Sequence, residues 1–67
     1  MELSARNQLP GTVKSVKLGT IMAEVIVDIG GQEIAAEITA GSARRLKLKK
    51  GDRVTAIIKS TEVLIGK

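Results

Sequence analysis

Hydrophobic residues recur at every second position from Ile21 to Ile29: Ile21, Ala23, Val25, Val27 and Ile29, with Glu24 and Asp28 on the opposite face. That period predicts a half-buried β-strand. Gly30-Gly31 follows, and both residues tolerate the positive φ that a tight hairpin turn requires. Residues 32–40 alternate again, with Ile34, Ala36, Ile38 and Ala40 set against Glu33, Ala35, Glu37 and Thr39. The two runs predict an antiparallel hairpin. Upstream, Gly11 to Leu18 carries Val13, Val16 and Leu18, and the missed beat between the two valines predicts a bulge or strong bend. Pro10 has no N–H to give a ladder, so it belongs at a strand start, an edge or a bulge. Downstream, Gly41-Ser42 ends the second run, and Ser42 is placed to cap a helical turn through Ala43-Arg44-Arg45-Leu46. Lys49-Lys50-Gly51-Asp52 reads as a turn. Arg53 to Ser60 reads as a fourth strand with Val54, Ala56 and Ile58 on one side, and Thr61 to Ile65 as a fifth.

Short strands with glycine-rich turns point to a small all-β barrel. Five strands with a helical turn between strands 3 and 4 match a five-stranded, OB-like Greek-key barrel. An SH3-like barrel is the competing arrangement. At 67 residues the chain is read as one domain spanning 1–67. A domain of this size buries only about 60% of the surface its unfolded chain exposes. Disulfides are excluded because there is no cysteine, and a zinc site is disfavoured because there is neither cysteine nor histidine. With 43% hydrophobic residues, association with copies of itself is the expected route to stability. No run approaches the ~20 apolar residues of a membrane span. Glu2, Arg6 and Asn7 interrupt any signal-peptide pattern, and the absence of cysteine fits a reducing compartment. A cytoplasmic protein with no membrane partner is expected.

The missing side chains narrow the chemistry. General acid–base catalysis most often uses histidine, and there is none. Lys59 and Ser60 are sequence neighbours, which a strand points to opposite faces, so they do not form a Ser–Lys dyad. No phosphate-cradling Gly-x-x-x-x-Gly-Lys loop is present. The chain reads as a binding protein and not an enzyme. The formal charge is +4, and Arg44, Arg45, Lys47, Lys49 and Lys50 concentrate positive charge in one stretch. That stretch is either a solvated face or the contact surface of a small OB-type nucleic-acid-binding module. With no Phe, Tyr or Trp there is no ring for a base to stack on, which argues against nucleic acid.

A small oxyanion needs less: convergent donors, some positive charge, and no carboxylate nearby. Ser4-Ala5-Arg6 and Lys59-Ser60-Thr61 each set a cation among small donors. Ser42, with Thr39 three residues earlier, offers hydroxyls at the start of the helical turn. For Ser42 a plain N-cap is the alternative. Arg6 is equally a partner for Glu62, and Lys59 a solvated strand end.

Ser4-Ala5-Arg6-Asn7-Gln8-Leu9 with Gly11 resembles the opening motif of the molbindins, or Mop proteins, small molybdate-binding proteins. The same unit occurs in a molybdate-responsive transcription regulator and, as the related TOBE domain, in some transporter ATPases. Ala23-Glu24-Val25, Gly30-Gly31 and Ala56-Ile57-Ile58-Lys59-Ser60-Thr61-Glu62-Val63 follow the family pattern in order. The resemblance implies an OB-like barrel assembled as a hexamer, a trimer of dimers. It implies molybdate or tungstate bound at subunit interfaces, for storage or homeostasis, with no organic cofactor. It also implies that the metal is held as its oxyanion and not by side-chain ligation. Carried onto this chain, the site takes Ser4, Arg6, Lys59 and Ser60 from one subunit, with the backbone N–H of Ala5, and Thr39 and Ser42 from a partner. A second class of site near the three-fold axis is implied without assignable residues. The chain departs from the family in Pro10, where a lysine is common, and in Arg44-Arg45, where acids are common.

Overall fold

In a computed structural model of the chain, which describes residues 1–67, the elements run β1 (Asn7–Leu18), β2 (Met22–Asp28), β3 (Glu33–Thr39), α1 (Ala40–Arg45) and β4 (Arg53–Ile58), then a 3-10 turn at Ser60–Glu62. The sheet order is β3-β2-β1-β4, all antiparallel. A three-strand meander whose fourth strand returns beside the first is a Greek key. The short helix sits between β3 and β4 as the sequence predicts.

β1 organises the molecule because it serves two ladders. Asn7–Thr12 pair with Arg53–Ile58, and Thr12–Leu18 pair with Ala23–Asp28. Pro10 lies opposite Thr55 in the first stretch, where β1 has no β2 partner, so its missing N–H breaks no ladder. The predicted bulge is present: Val13 faces Val27 and Ser15 faces Ile26, leaving Lys14 unpaired. The extra residue lets Val13 and Val16 both turn inward and sends Lys14 out to an ion pair with Glu33.

The β2–β3 hairpin closes as expected. Gly30 and Gly31 have φ of 101° and 96°, and Asp28 Oδ1 accepts both of their N–H groups at 2.9 and 3.1 Å. Those two amides hold the Asp28 carboxyl below its ordinary value, with a smaller contribution from Lys14.

Two expectations are corrected. The helix begins at Ala40, not after Ser42. Thr39 is the N-cap, with extended backbone, and its hydroxyl accepts the Ser42 N–H. The strand therefore runs directly into the helix, and Gly41 lies inside it. At the other end, Lys47 at φ 53° turns the chain. Its N–H reaches Arg44 O and the Leu48 N–H reaches Ala43 O, a Schellman closure.

The second correction concerns strand five. Four strands form, not five. Ser60–Glu62 coil into a 3-10 turn that redirects the chain, and Val63–Ile65 pair with nothing. An extended segment is a strand only when a neighbouring ladder accepts it. The barrel consequently stays open between β3 and β4, which are not hydrogen-bonded to each other. A groove of about 580 Å³ occupies the gap, lined by Val27, Ile34, Ile38, Leu46, Val54 and Ile58 among others.

The core is small. Val13, Val25 and Val27 form its centre, with Ala23, Ala40 and Ala43 also buried. Only seven of 67 residues are buried, and Leu64 and Ile65 stand 92% and 89% exposed. Such a core supplies little stability to an isolated chain.

Candidate functional site

The last rung of the β1–β4 ladder pairs Asn7 with Ile58. In an antiparallel pair, the residues just before the first rung on one strand meet those just after it on the other. Ser4-Ala5-Arg6 and Lys59-Ser60-Thr61 are therefore brought to the same end of the sheet. They line one open cleft of about 270 Å³, which contains no other residue. Two side chains fix its walls: Asn7 Nδ2 donates to Ile58 O at 3.1 Å, and Gln8 Nε2 donates to Ala5 O at 2.7 Å. Sequence reasoning treated Asn7 and Gln8 only as part of a motif. The Asn7 bond exists only once β4 is in place, whereas the Gln8 bond is a local tie to Ala5.

The cleft is rich in donors. Arg6 and Lys59 have no carboxylate partner, because the two ion pairs of the chain are Lys14–Glu33 and Lys49–Asp52. Arg6 does not pair with Glu62, whose backbone is turned into the 3-10 element with its N–H on Lys59 O at 2.9 Å. The amides of Ala5, Ser60 and Thr61 make no hydrogen bond within the chain. With the hydroxyls of Ser4, Ser60 and Thr61, the cleft offers many donors, positive charge and no acid. That set suits a small anion made of acceptor oxygens.

Thr39 and Ser42 do not line this cleft. Thr39 pairs with Met22, and the Ala40 N–H reaches Ile21 O at 2.7 Å, so both lie near the start of β2. That end of the sheet is the Leu18 end of β1, away from Asn7. The Thr39 and Ser42 hydroxyls are 2.8 Å apart, and Thr39 Oγ1 accepts the Ser42 N–H at 3.0 Å. Arg45, which the sequence marks only as part of the basic stretch and not as a site residue, approaches this pair with Nη2 at 3.5 Å from Ser42 Oγ. Nowhere do three His, Cys, Asp or Glu side chains gather as they would to ligate a metal ion.

Comparison with known proteins adds independent findings. The TOBE domain model matches residues 3–65. The chain is 48% identical over 66 residues to molybdenum-pterin-binding protein 1 of Clostridium pasteurianum, covering 97% of each. A molybdate-binding protein from Sporomusa ovata has a solved structure with a TM-score of 0.95 and 45% identity over the full length of both chains. The cytoplasmic molybdate-binding protein ModG, solved with molybdate bound, aligns with a TM-score of 0.87 and 44% identity, over 90% of this chain and 43% of that one.

Proposed function

This chain belongs to the TOBE-domain family, and from that membership we propose that it binds molybdate or tungstate at interfaces between its own copies. One observation carries the proposal: Ser4, Ala5, Arg6, Lys59 and Ser60 share a carboxylate-free cleft at the last β1–β4 rung. A dianion is costly to desolvate unless donors surround it. The open cleft supplies one side of such a shell. Thr39 and Ser42, at the other end of the sheet, supply the opposite side from a second copy. The chain 1–67 acts as a single binding unit in the cytoplasm, without catalysis, and its role is storage or homeostasis of the oxyanion.

The pterin in the name of some relatives raises a second reading. A pterin is a flat ring with its own N–H donors, so it needs a stacking surface and acceptors. The chain has no aromatic residue to stack on such a ring, and the charged side chains of the cleft, Arg6 and Lys59, are donors only. Both facts favour the bare oxyanion. The basic stretch at 44–50 likewise has no aromatic platform for nucleic acid.

The assembly is a homo-oligomer, a hexamer built as a trimer of dimers. The open groove between β3 and β4 and the unpaired apolar tail Val63-Leu64-Ile65 support association. Leu64→Asp is expected to shift the mass to monomer in sedimentation equilibrium and to lower molybdate affinity. An unchanged mass would place the tail outside the interface.

Ligand binding stabilises the state that binds it. At 100 times Kd the gain is about 2.7 kcal/mol, which for a domain of this size raises the melting midpoint by roughly 10–20 °C. A molybdate titration followed by far-UV circular dichroism is expected to show that rise, with the ion and subunit count read by native mass spectrometry. A flat midpoint up to millimolar molybdate would defeat the proposal.

A further inference from the structure

The Thr39–Ser42 pair holds one hydroxyl proton that has no acceptor in the chain. The two oxygens are 2.8 Å apart, so one O–H bridges them, and Thr39 Oγ1 also accepts the Ser42 N–H. Two hydroxyls carry two protons, and the bridge uses only one. Arg45 Nη2 lies 3.5 Å from Ser42 Oγ and approaches it as a donor. With Thr39 donating the bridge and Arg45 approaching Ser42 Oγ at long range, the Ser42 proton is the one left without a partner in the chain. Arg45 itself is exposed and has no carboxylate within ion-pair distance. The cluster is thus three side chains offering an unused O–H and unneutralised charge. In the free chain solvent meets these groups, and a ligand made of acceptors can take its place. The amides of the six-residue α1 play no part, since the Ser42 N–H is already taken by Thr39.

We infer that Arg45 is a positioning residue of the oxyanion site, holding the Ser42 oxygen so that its hydroxyl proton is delivered to the ligand and adding a second guanidinium to that of Arg6. The inference rests on the site proposed above, in which Thr39 and Ser42 of one copy face Arg6 and Lys59 of another. Hydrogen bonds accepted by a hydroxyl oxygen polarise its O–H and strengthen what it donates. The Arg45 charge also attracts the dianion in a salt-dependent way.

The test compares Arg45→Gln, Arg45→Lys and Arg44→Gln by isothermal titration with sodium molybdate at low and physiological ionic strength. Arg44 is the control, an exposed neighbour on α1 with no bond to the pair. Arg45→Gln is expected to weaken binding about tenfold and to flatten its salt dependence, with the ligand-free melting midpoint unchanged. Arg45→Lys restores the salt dependence and most of the affinity. Arg44→Gln behaves as the unsubstituted protein. If Arg45→Gln matches Arg44→Gln while Arg6→Ala abolishes binding, the role of Arg45 is overturned and the site stands. If the unsubstituted protein does not bind molybdate, both fall together.

Discussion

Arg6→Ala is expected to weaken molybdate binding by about 100-fold or more, with the far-UV spectrum and the ligand-free melting midpoint unchanged. Arg6 is exposed, unpaired and set at the mouth of the cleft with Lys59. It holds no element of the fold, so its removal leaves the sheet intact. In the proposed complex its planar fork would meet two oxygens of the tetrahedral oxyanion, a geometry that Lys59 as a point charge does not reproduce. Truncation leaves Lys59 as the only cation that this cleft turns toward the desolvated dianion. Arg6→Lys should retain part of the affinity, because charge survives and the fork does not. Isothermal titration decides the matter: affinity within about threefold of the unsubstituted protein would remove Arg6 from the site.

Gly11→Ala is expected to lower the ligand-free melting midpoint by roughly 10–20 °C. Gly11 is buried where β1 leaves β4 and takes up β2. A Cβ there would sit 2.5 Å from the Asp28 carbonyl oxygen and 2.7 Å from Val27 Cγ1. The oxygen is backbone and cannot swing aside, so the crossing strands must part. Overpacking of this kind costs about 1–3 kcal/mol, a large share of the stability of so small a core. Gly41 gives the contrast: nothing lies within 4 Å of its added Cβ, and it is inside α1. Gly41→Ala should therefore hold or raise the midpoint, since alanine favours helix by about 1 kcal/mol. Melting of Gly11→Ala within about 3 °C of the parent would show that the crossing has slack.

The hairpin from Met22 to Thr39 was legible because its inward side chains repeat at the strand period and its turn has two glycines. The bulge at Lys14 was legible for the same reason, as a missed beat between Val13 and Val16. The N-cap was misplaced by three residues because both Thr39 and Ser42 are competent caps. Local pattern does not say which hydroxyl meets the first free N–H. A fifth strand does not form because the β-branched and apolar run Thr61–Ile65 carries strand propensity but no partner for it. The reach of β1 back to Asn7 is not legible locally because it depends on pairing with Ile58 of β4, 51 residues away.

By itself the sequence determined the classes of chemistry open to this chain. Without histidine, cysteine or aromatic rings it has no imidazole, thiol or stacking surface, and cations set among hydroxyls suit an acceptor-only ligand. It also determined the all-β class, because side-chain period is a local property of the backbone. Only the tertiary structure decided that Ser4-Ala5-Arg6 and Lys59-Ser60-Thr61 share one cleft, that Thr39 and Ser42 do not, and that Arg45 stands beside them. The first two facts follow from long-range pairing and register, which fix which ends of which strands meet; the third is a local helix contact that depends on where the helix starts.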